Sequence, residues 1–289
     1  MNLRAWYSIN EDWYYSQQKS GEGMWISNPL SICIRTNKYC NLTCGFCLSD
    51  SSPTEKSNVG WIEATLYKLS EIVGTTRIVW SGGEPLLVPD LLSLLELSKK
   101  LGHINIVATN GTLIKRFDSA DWLDISIKGI DDIDYERHTK NRIGYRVWRN
   151  LESTVQASCR VSVSIILGIH GIEKLDLIFG KLINIGVSRI KFYRPLQLGR
   201  LKDLPDHDLV ERELAFAKEY FKGSSVLASF PLSREPSDAV SAYWVVEEPG
   251  YLTAQVLKAP IIDKNEMKWA FDTFQKQHFR IFVDRPYVG

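Results

Sequence analysis

The chain encodes an α/β protein, a parallel sheet covered by helices. Two observations predict that class. Strand-like apolar runs alternate with amphipathic helical runs over about 190 residues. No Pro-, Gly- or Ser-rich linker, low-complexity tract or repeat interrupts them.

The elements follow in order. Residues 30–36 (LSICIRT) begin the series as a strand. Residues 60–74 place apolar side chains at helical spacing and end at Gly74, a helix stop. Residues 77–81 are the second strand. Residues 89–102 are a helix with Pro89 at its start, lysines in its last turn and Gly102 behind them. Strands at 104–109 and 122–128 come next, then a helix at 144–158 and a strand at 160–168. A helix at 171–186 ends in Gly186, before a sixth strand at 189–196 and a long helix at 206–223. Six β/α units suit either an open doubly wound sheet or a partial barrel. The tail changes character: 243–257 looks like a hairpin about Pro249-Gly250, 265–279 a last helix and 280–284 a last strand. We divide the chain into an N-terminal extension (1–29), a core (30–223) and a C-terminal extension packed on that core (224–289).

Bulk properties remove several function classes. The 289 residues are 44% hydrophobic and 24% charged, with a formal net charge of +1. That balance gives no strong signal for nucleic acid or a membrane surface. No apolar run reaches the roughly 18 residues of a membrane span, and the N-terminus, with its acids, lacks the apolar core of a secretory signal. The cytoplasm is the default compartment, where clustered cysteines are metal ligands or redox groups more often than disulfides.

Three of the five cysteines, Cys40, Cys44 and Cys47, lie in KYCNLTCGFCLSD (38–50). Three chemistries fit a C-x3-C-x2-C loop. Structural zinc wants four ligands, and the fourth candidate is Cys33, inside the first strand. A redox dithiol would use Cys44 and Cys47 and leave Cys40 unexplained. An iron–sulfur cubane with three thiolates leaves one of its irons open to an exogenous ligand.

At this point the sequence resembles the radical S-adenosylmethionine (SAM) enzymes. The resemblance rests on C-x3-C-x2-C directly after the first strand, with the aromatic Phe46 before the third cysteine, and on WSGGEPLL (80–87) after the second strand. It implies a partial (β/α)6 TIM-like barrel with a small C-terminal extension. It also implies a [4Fe-4S] cluster on Cys40, Cys44 and Cys47, with SAM chelating the open iron. One electron then cleaves SAM to methionine and a 5′-deoxyadenosyl radical, which abstracts hydrogen from a substrate. Gly82, Gly83, Glu84 and Pro85 would hold the SAM amino group, since glycine lets backbone carbonyls come close. Thr109 and Asn110, after the third strand, sit where a barrel carries its chemistry and are candidate ribose or methionyl contacts; Asn-Gly is equally a common turn. Lys128 matches a strand-end lysine that helps bind the SAM carboxylate in related members, and Ser126 shares its strand face.

Further candidates ring the same rim. Asp124 shares the face of Ser126. Ser164 is a candidate cofactor contact, with His170 beyond it for substrate or adenine, or to cap the next helix. Tyr193 and Arg194 end the sixth strand, the arginine opening an R-P-L-x-x-G-R motif (194–200), and an arginine there suits a carboxylate or phosphate. The basic run 140–149 is either an anion-recognition surface or a solvated helix face, and Cys159 either a hydrogen donor or a packed thiol. Residues 160–289 contain no cysteine, so one cluster is expected. The tail, SAYWVVEEPGYLTAQVL above all, is expected to close the barrel against water.

The partners implied are a substrate and a one-electron reductant such as flavodoxin or ferredoxin. A small metabolite or nucleoside of a biosynthetic pathway ranks first, then a peptide or protein residue, then a glycyl-radical enzyme. The 29 residues before the first strand hold no recognisable peptide-binding domain, which disfavours a peptide. The rival from another class is a zinc-stabilised binding protein that depends on Cys33.

Overall fold

The computed structural model describes residues 3–8, 13–20, 23–26, 31–55, 59–73, 75–114, 119–195, 199–203, 205–229, 244–247, 251–254 and 257–260. Three strands, β1 (Leu3–Ser8), β2 (Trp13–Ser20) and β3 (Gly23–Ile26), form an antiparallel sheet of their own. The sequence reading assigned no strands there.

The core alternates as expected: β4 (Ser31–Arg35), α1 (Ile62–Val73), β5 (Arg77–Ser81), α2 (Leu91–Lys100), β6 (Ile104–Thr109), β7 (Trp122–Ile127), α3 (Asp132–Thr139), α4 (Gly144–Gln156), β8 (Val161–Ile166), α5 (Ile172–Ile185), β9 (Arg189–Tyr193) and α6 (His207–Tyr220). A seventh strand, β10 (Leu227–Ser229), pairs in parallel with β9. The run β10-β9-β8-β7-β6-β5-β4 is parallel throughout and does not close on itself, so the architecture is an open, partial TIM-like barrel. The tail extends its other edge. β11 (Trp244–Glu247) pairs in parallel with β4, then in a hairpin with β12 (Tyr251–Ala254), which pairs with β13 (Leu257–Pro260). The expected hairpin is therefore present, while its turn and the expected elements at 265–284 lie outside the described residues.

Alternation along each strand sorts side chains to two faces. Ile32, Ile34, Ile78, Trp80 and Val107 pack against Ile62, Leu66, Leu69 and Leu95 of α1 and α2. Ile125, Val163, Ile165, Ile190 and Phe192 pack against α4, α5 and α6. The opposite, concave face carries Cys33, Arg35, Arg77, Trp122, Asp124, Ser126, Ser162, Ser164, Arg189 and Lys191. Loops at the strands' C-terminal ends lie at the mouth of this concavity.

Candidate functional site

The cysteine loop follows β4 and is held from three sides. Gly83 N–H donates to Asn37 O at 2.7 Å, and Glu84 N–H to Tyr39 O at 2.9 Å. These bonds lay the strand-end glycines directly on the loop's backbone. A Cβ on Gly83 would stand 2.1 Å from Tyr39 O, and one on Gly82 2.5 Å from Asn37 O. Gly82 also holds φ +121°, which side-chain-bearing residues avoid. The glycine pair thus has a reason beyond ligand access: it lets two backbones touch.

From a second side, α3 ends against the loop, where Thr43 N–H donates to Thr139 O and Gly45 N–H to His138 O, at 3.3 and 3.1 Å. The third side is Gly199-Arg200. Arg200 N–H donates to Cys47 O at 2.9 Å, and its guanidinium to Cys44 O and Ser51 O at 2.8 and 2.7 Å. The same guanidinium pairs with Asp50 at 3.1 Å. Sequence reasoning chose Arg194, whose guanidinium instead pairs with Glu211 of α6. Arg200 closes the same motif, and that position was the available signal.

Glu84 is wholly buried and ties β5 to β6. It accepts from Thr109 Oγ1 at 2.7 Å, Asn110 N at 2.8 Å and Leu86 N at 3.1 Å. Burial pushes its carboxyl up, against these three bonds and the Lys128 charge. Pro85 starts the short 3-10 turn Pro85–Leu87 that Glu84 caps. The Asn110 side chain donates to Asn41 at 2.9 Å and lies 3.8 Å from Cys40 Sγ. The third-strand loop is thereby joined to the cysteines.

The thiols share one environment. Burial pushes Cys40 up and Cys44 up to about 11, while Lys128 opposes both rises. Cys40 and Cys47 also raise Cys44, and Arg200 lowers it. Buried thiols of this kind stay protonated unless a cationic centre compensates them. Lys128 itself is buried. Its ammonium donates to Ser126 O at 3.2 Å, and the Tyr135 hydroxyl accepts from its backbone N–H at 3.3 Å.

These features fit a large, polar, multi-iron ligand. Asn37 has both amide atoms, and Ser51 its hydroxyl, buried without a partner. Among the described residues no three His, Cys, Asp or Glu side chains form a group able to cage a metal ion.

The other candidates separate into groups. Ser164 Oγ bonds both carboxylate oxygens of Asp124 at 2.9 Å, within the barrel and not at its mouth. His170 is buried, has neither ring nitrogen partnered, and is pushed down to about 3 by burial first and then by His138. Its ring centroid lies 6.1 Å from that of His138, which lies 6.1 Å from that of Phe46. Tyr193 is exposed. Arg142, Arg146 and Arg149 of the basic run are solvent-facing, with Val147 and Trp148 buried behind them. Cys159 packs beside the second apolar cluster. Glu213, which sequence reasoning missed, is wholly buried on α6 and accepts from the backbone N–H groups of Gly168, His170 and Gly171.

Fold and loop define a barrel enzyme with a cysteine-rich centre at its mouth. The model of the radical SAM superfamily matches residues 34–178, and the chain belongs to that superfamily. Members of that superfamily are enzymes that use a [4Fe-4S] cluster and SAM. Residues matched at 32% identity, 113 of them, relate the chain to GTP 3′,8-cyclase of Chlorobaculum tepidum, covering 38% of this chain and 33% of that one. Fe-coproporphyrin III synthase of Methanosarcina barkeri matches at 24% over 60% of this chain and 45% of its own. The chain thus spans less than half the length of these relatives. Among solved structures, Streptococcus suis SuiB bound to SAM superposes with a TM-score of 0.68 at 18% identity, covering 88% of this chain and 68% of that one. The structure of anSMEcpe with bound SAM gives a TM-score of 0.63 at 18% identity, covering 87% of this chain and 82% of that one. Both likenesses concern the fold. Among the described residues no helix is long and apolar enough to cross a membrane.

Proposed function

We propose that Cys40, Cys44 and Cys47 ligate the [4Fe-4S] cluster and that SAM binds between Gly82–Pro85, Asn110 and Lys128. When bound, the cluster and SAM would supply the one-electron chemistry that starts hydrogen abstraction from the substrate. The observation carrying this reading is the shared site itself. Gly83 and Glu84 dock on the backbone of the cysteine loop, Asn110 reaches Cys40, and the Lys128 charge acts on Cys40, Cys44 and Glu84.

The residues divide the labour. Lys128 offers a buried cation to a carboxylate. The Gly82-Gly83 turn offers backbone close to an ammonium. Glu84 spends its carboxylate inside the protein, so its part is to fix the β5 and β6 loops. Thr109 spends its hydroxyl on Glu84 in the same way. Phe46 and His138 wall the loop toward α3. Arg200 holds the carbonyls of Cys44 and Ser51, which keeps the loop closed.

The substrate reading is a small molecule of a biosynthetic pathway, supported by curated relatives that include a GTP cyclase. The three-stranded sheet β1–β3 removes the argument against a peptide that rested on a short N-terminal segment. Strand addition to a sheet edge is a general mode of peptide binding. The test is anaerobic reconstitution with iron and sulfide, reduction with dithionite, addition of SAM and mass spectrometry for 5′-deoxyadenosine. The nucleoside forms with the native protein and not with Cys44→Ala. Formation that survives Cys44→Ala sinks the assignment, and coupling to hydrogen loss from metabolite or peptide pools then separates the two substrate classes.

A further inference from the structure

The seven parallel strands carry Arg35, Arg77, Arg189 and Lys191, and a single acid, Asp124. All five lie on the concave face, opposite the residues that pack on the helices. A sheet face that only needed filling would be apolar there.

Asp124 is already satisfied. It accepts from Ser162 Oγ at 2.8 Å, from Ser164 Oγ at 2.9 Å on each oxygen, and from Lys191 Nζ at 3.1 Å. Lys191 is not. An ammonium has three donors, and among the described residues Asp124 is its one acceptor. Its side chain remains 19% exposed, against 8% for that of Asp124. Lys191 therefore keeps hydrogen-bond donors to spare, while both carboxylate oxygens of Asp124 are engaged.

Register sets the height. Lys191 pairs with Ser164 and Ser164 with Ser126, so Lys191 stands level with Ser126. Lys128, two residues further along β7, stands about 7 Å nearer the mouth. An acid held at Lys191 would place the rest of its molecule toward the cysteine loop.

We propose that Lys191, aimed by Asp124 and the two serines, binds a carboxylate or phosphate group of the substrate. The site rests on the reading of the barrel mouth as the radical centre. Asp124 acts as a positioning residue: it fixes the ammonium and keeps the interior from accumulating like charges. The same chemistry has a second source, the carboxylate of SAM, which the reading above assigns to Lys128.

The test uses reconstituted protein loaded with SAM, titrated calorimetrically at low salt with inorganic phosphate, pyrophosphate and citrate as probes. At least one binds saturably, and Lys191→Met weakens it by about tenfold or more, the loss expected for a hydrogen bond to a charged group. Lys191→Arg restores most of the affinity. Lys191→Met alone strands Asp124 without a cation, so Lys191→Met with Asp124→Asn is measured alongside; it keeps the interior neutral and also loses the anion. No saturable binding by any probe, or binding indifferent to Lys191→Met, overturns the proposal. SAM affinity is measured in each variant, and a parallel loss of SAM overturns it too, because Lys191 would then be a cofactor group. Native protein that binds the anion yet yields no 5′-deoxyadenosine would instead fault the radical reading and leave the anion site standing.

Discussion

The first half of the barrel, β4 to β6, and the second, β7 to β9, hold their polar groups by different means. In the first half the cysteine loop is held largely through main chain: Gly83 N–H on Asn37 O, Glu84 N–H on Tyr39 O and, from beyond β9, Arg200 N–H on Cys47 O. In the second half the contacts are between side chains: Asp124 with Ser162, Ser164 and Lys191. At Gly82 and Gly83 the main-chain contact tolerates no side chain, because an added Cβ meets a carbonyl. Side-chain contacts can be exchanged residue by residue while the sheet stays as it is. The difference suits a constant cofactor beside a variable substrate.

The largest effect should come from Gly83→Ala. Its methyl group has to displace Tyr39 O, and a loss of at least about 3 kcal/mol is expected from such a backbone clash. Urea unfolding reads it, and iron retention after reconstitution should fall several-fold. If the variant folds and loads normally, the halves do not differ as described. Glu84→Gln comes next. It places an amide N–H against either the Leu86 N–H or the Asn110 N–H, at a cost of about 2–3 kcal/mol.

His170 sharpens the comparison through pH. Its buried ring is held well below the ordinary histidine value, to about 3. The unfolded chain takes up this proton near pH 6.5 and the folded chain does not. Stability is therefore fully present above pH 6.5 and is lost as pH falls toward 3, by up to about 1.4 kcal/mol per pH unit. In apoprotein melts across that window, His170→Leu should lose this slope relative to the native chain. An unchanged slope would mean that the ring titrates freely. The smallest effect belongs to Ser162→Ala in the second half, about 1 kcal/mol for one hydrogen bond. A cost near that of Gly83→Ala would erase the contrast.

What the sequence made legible follows the same divide. Cys40, Cys44, Cys47 and Gly82–Pro85 are local patterns of side-chain type and spacing. Strand and helix periods were legible wherever an element has one apolar face. Helix α3 was not, because its sequence DIDYERHT is mostly polar; it stands on the Asp131 cap and on buried Tyr135 and Thr139. Strand β10 has three residues, too few for a period. Glu213 and Arg200 escaped for a different reason. Their partners lie 45 and 156 positions away in the chain, and no local spacing encodes such a pairing.

That separation also orders events at the ribosome. The three thiols are made early, yet the arginine that clasps their loop emerges about 150 residues later, when most of the barrel strands are already outside. Until then the loop around Cys44 and Cys47 lacks that fastening. A chain truncated before Gly199 should therefore expose its thiols to alkylating reagents more than the chain that includes Arg200.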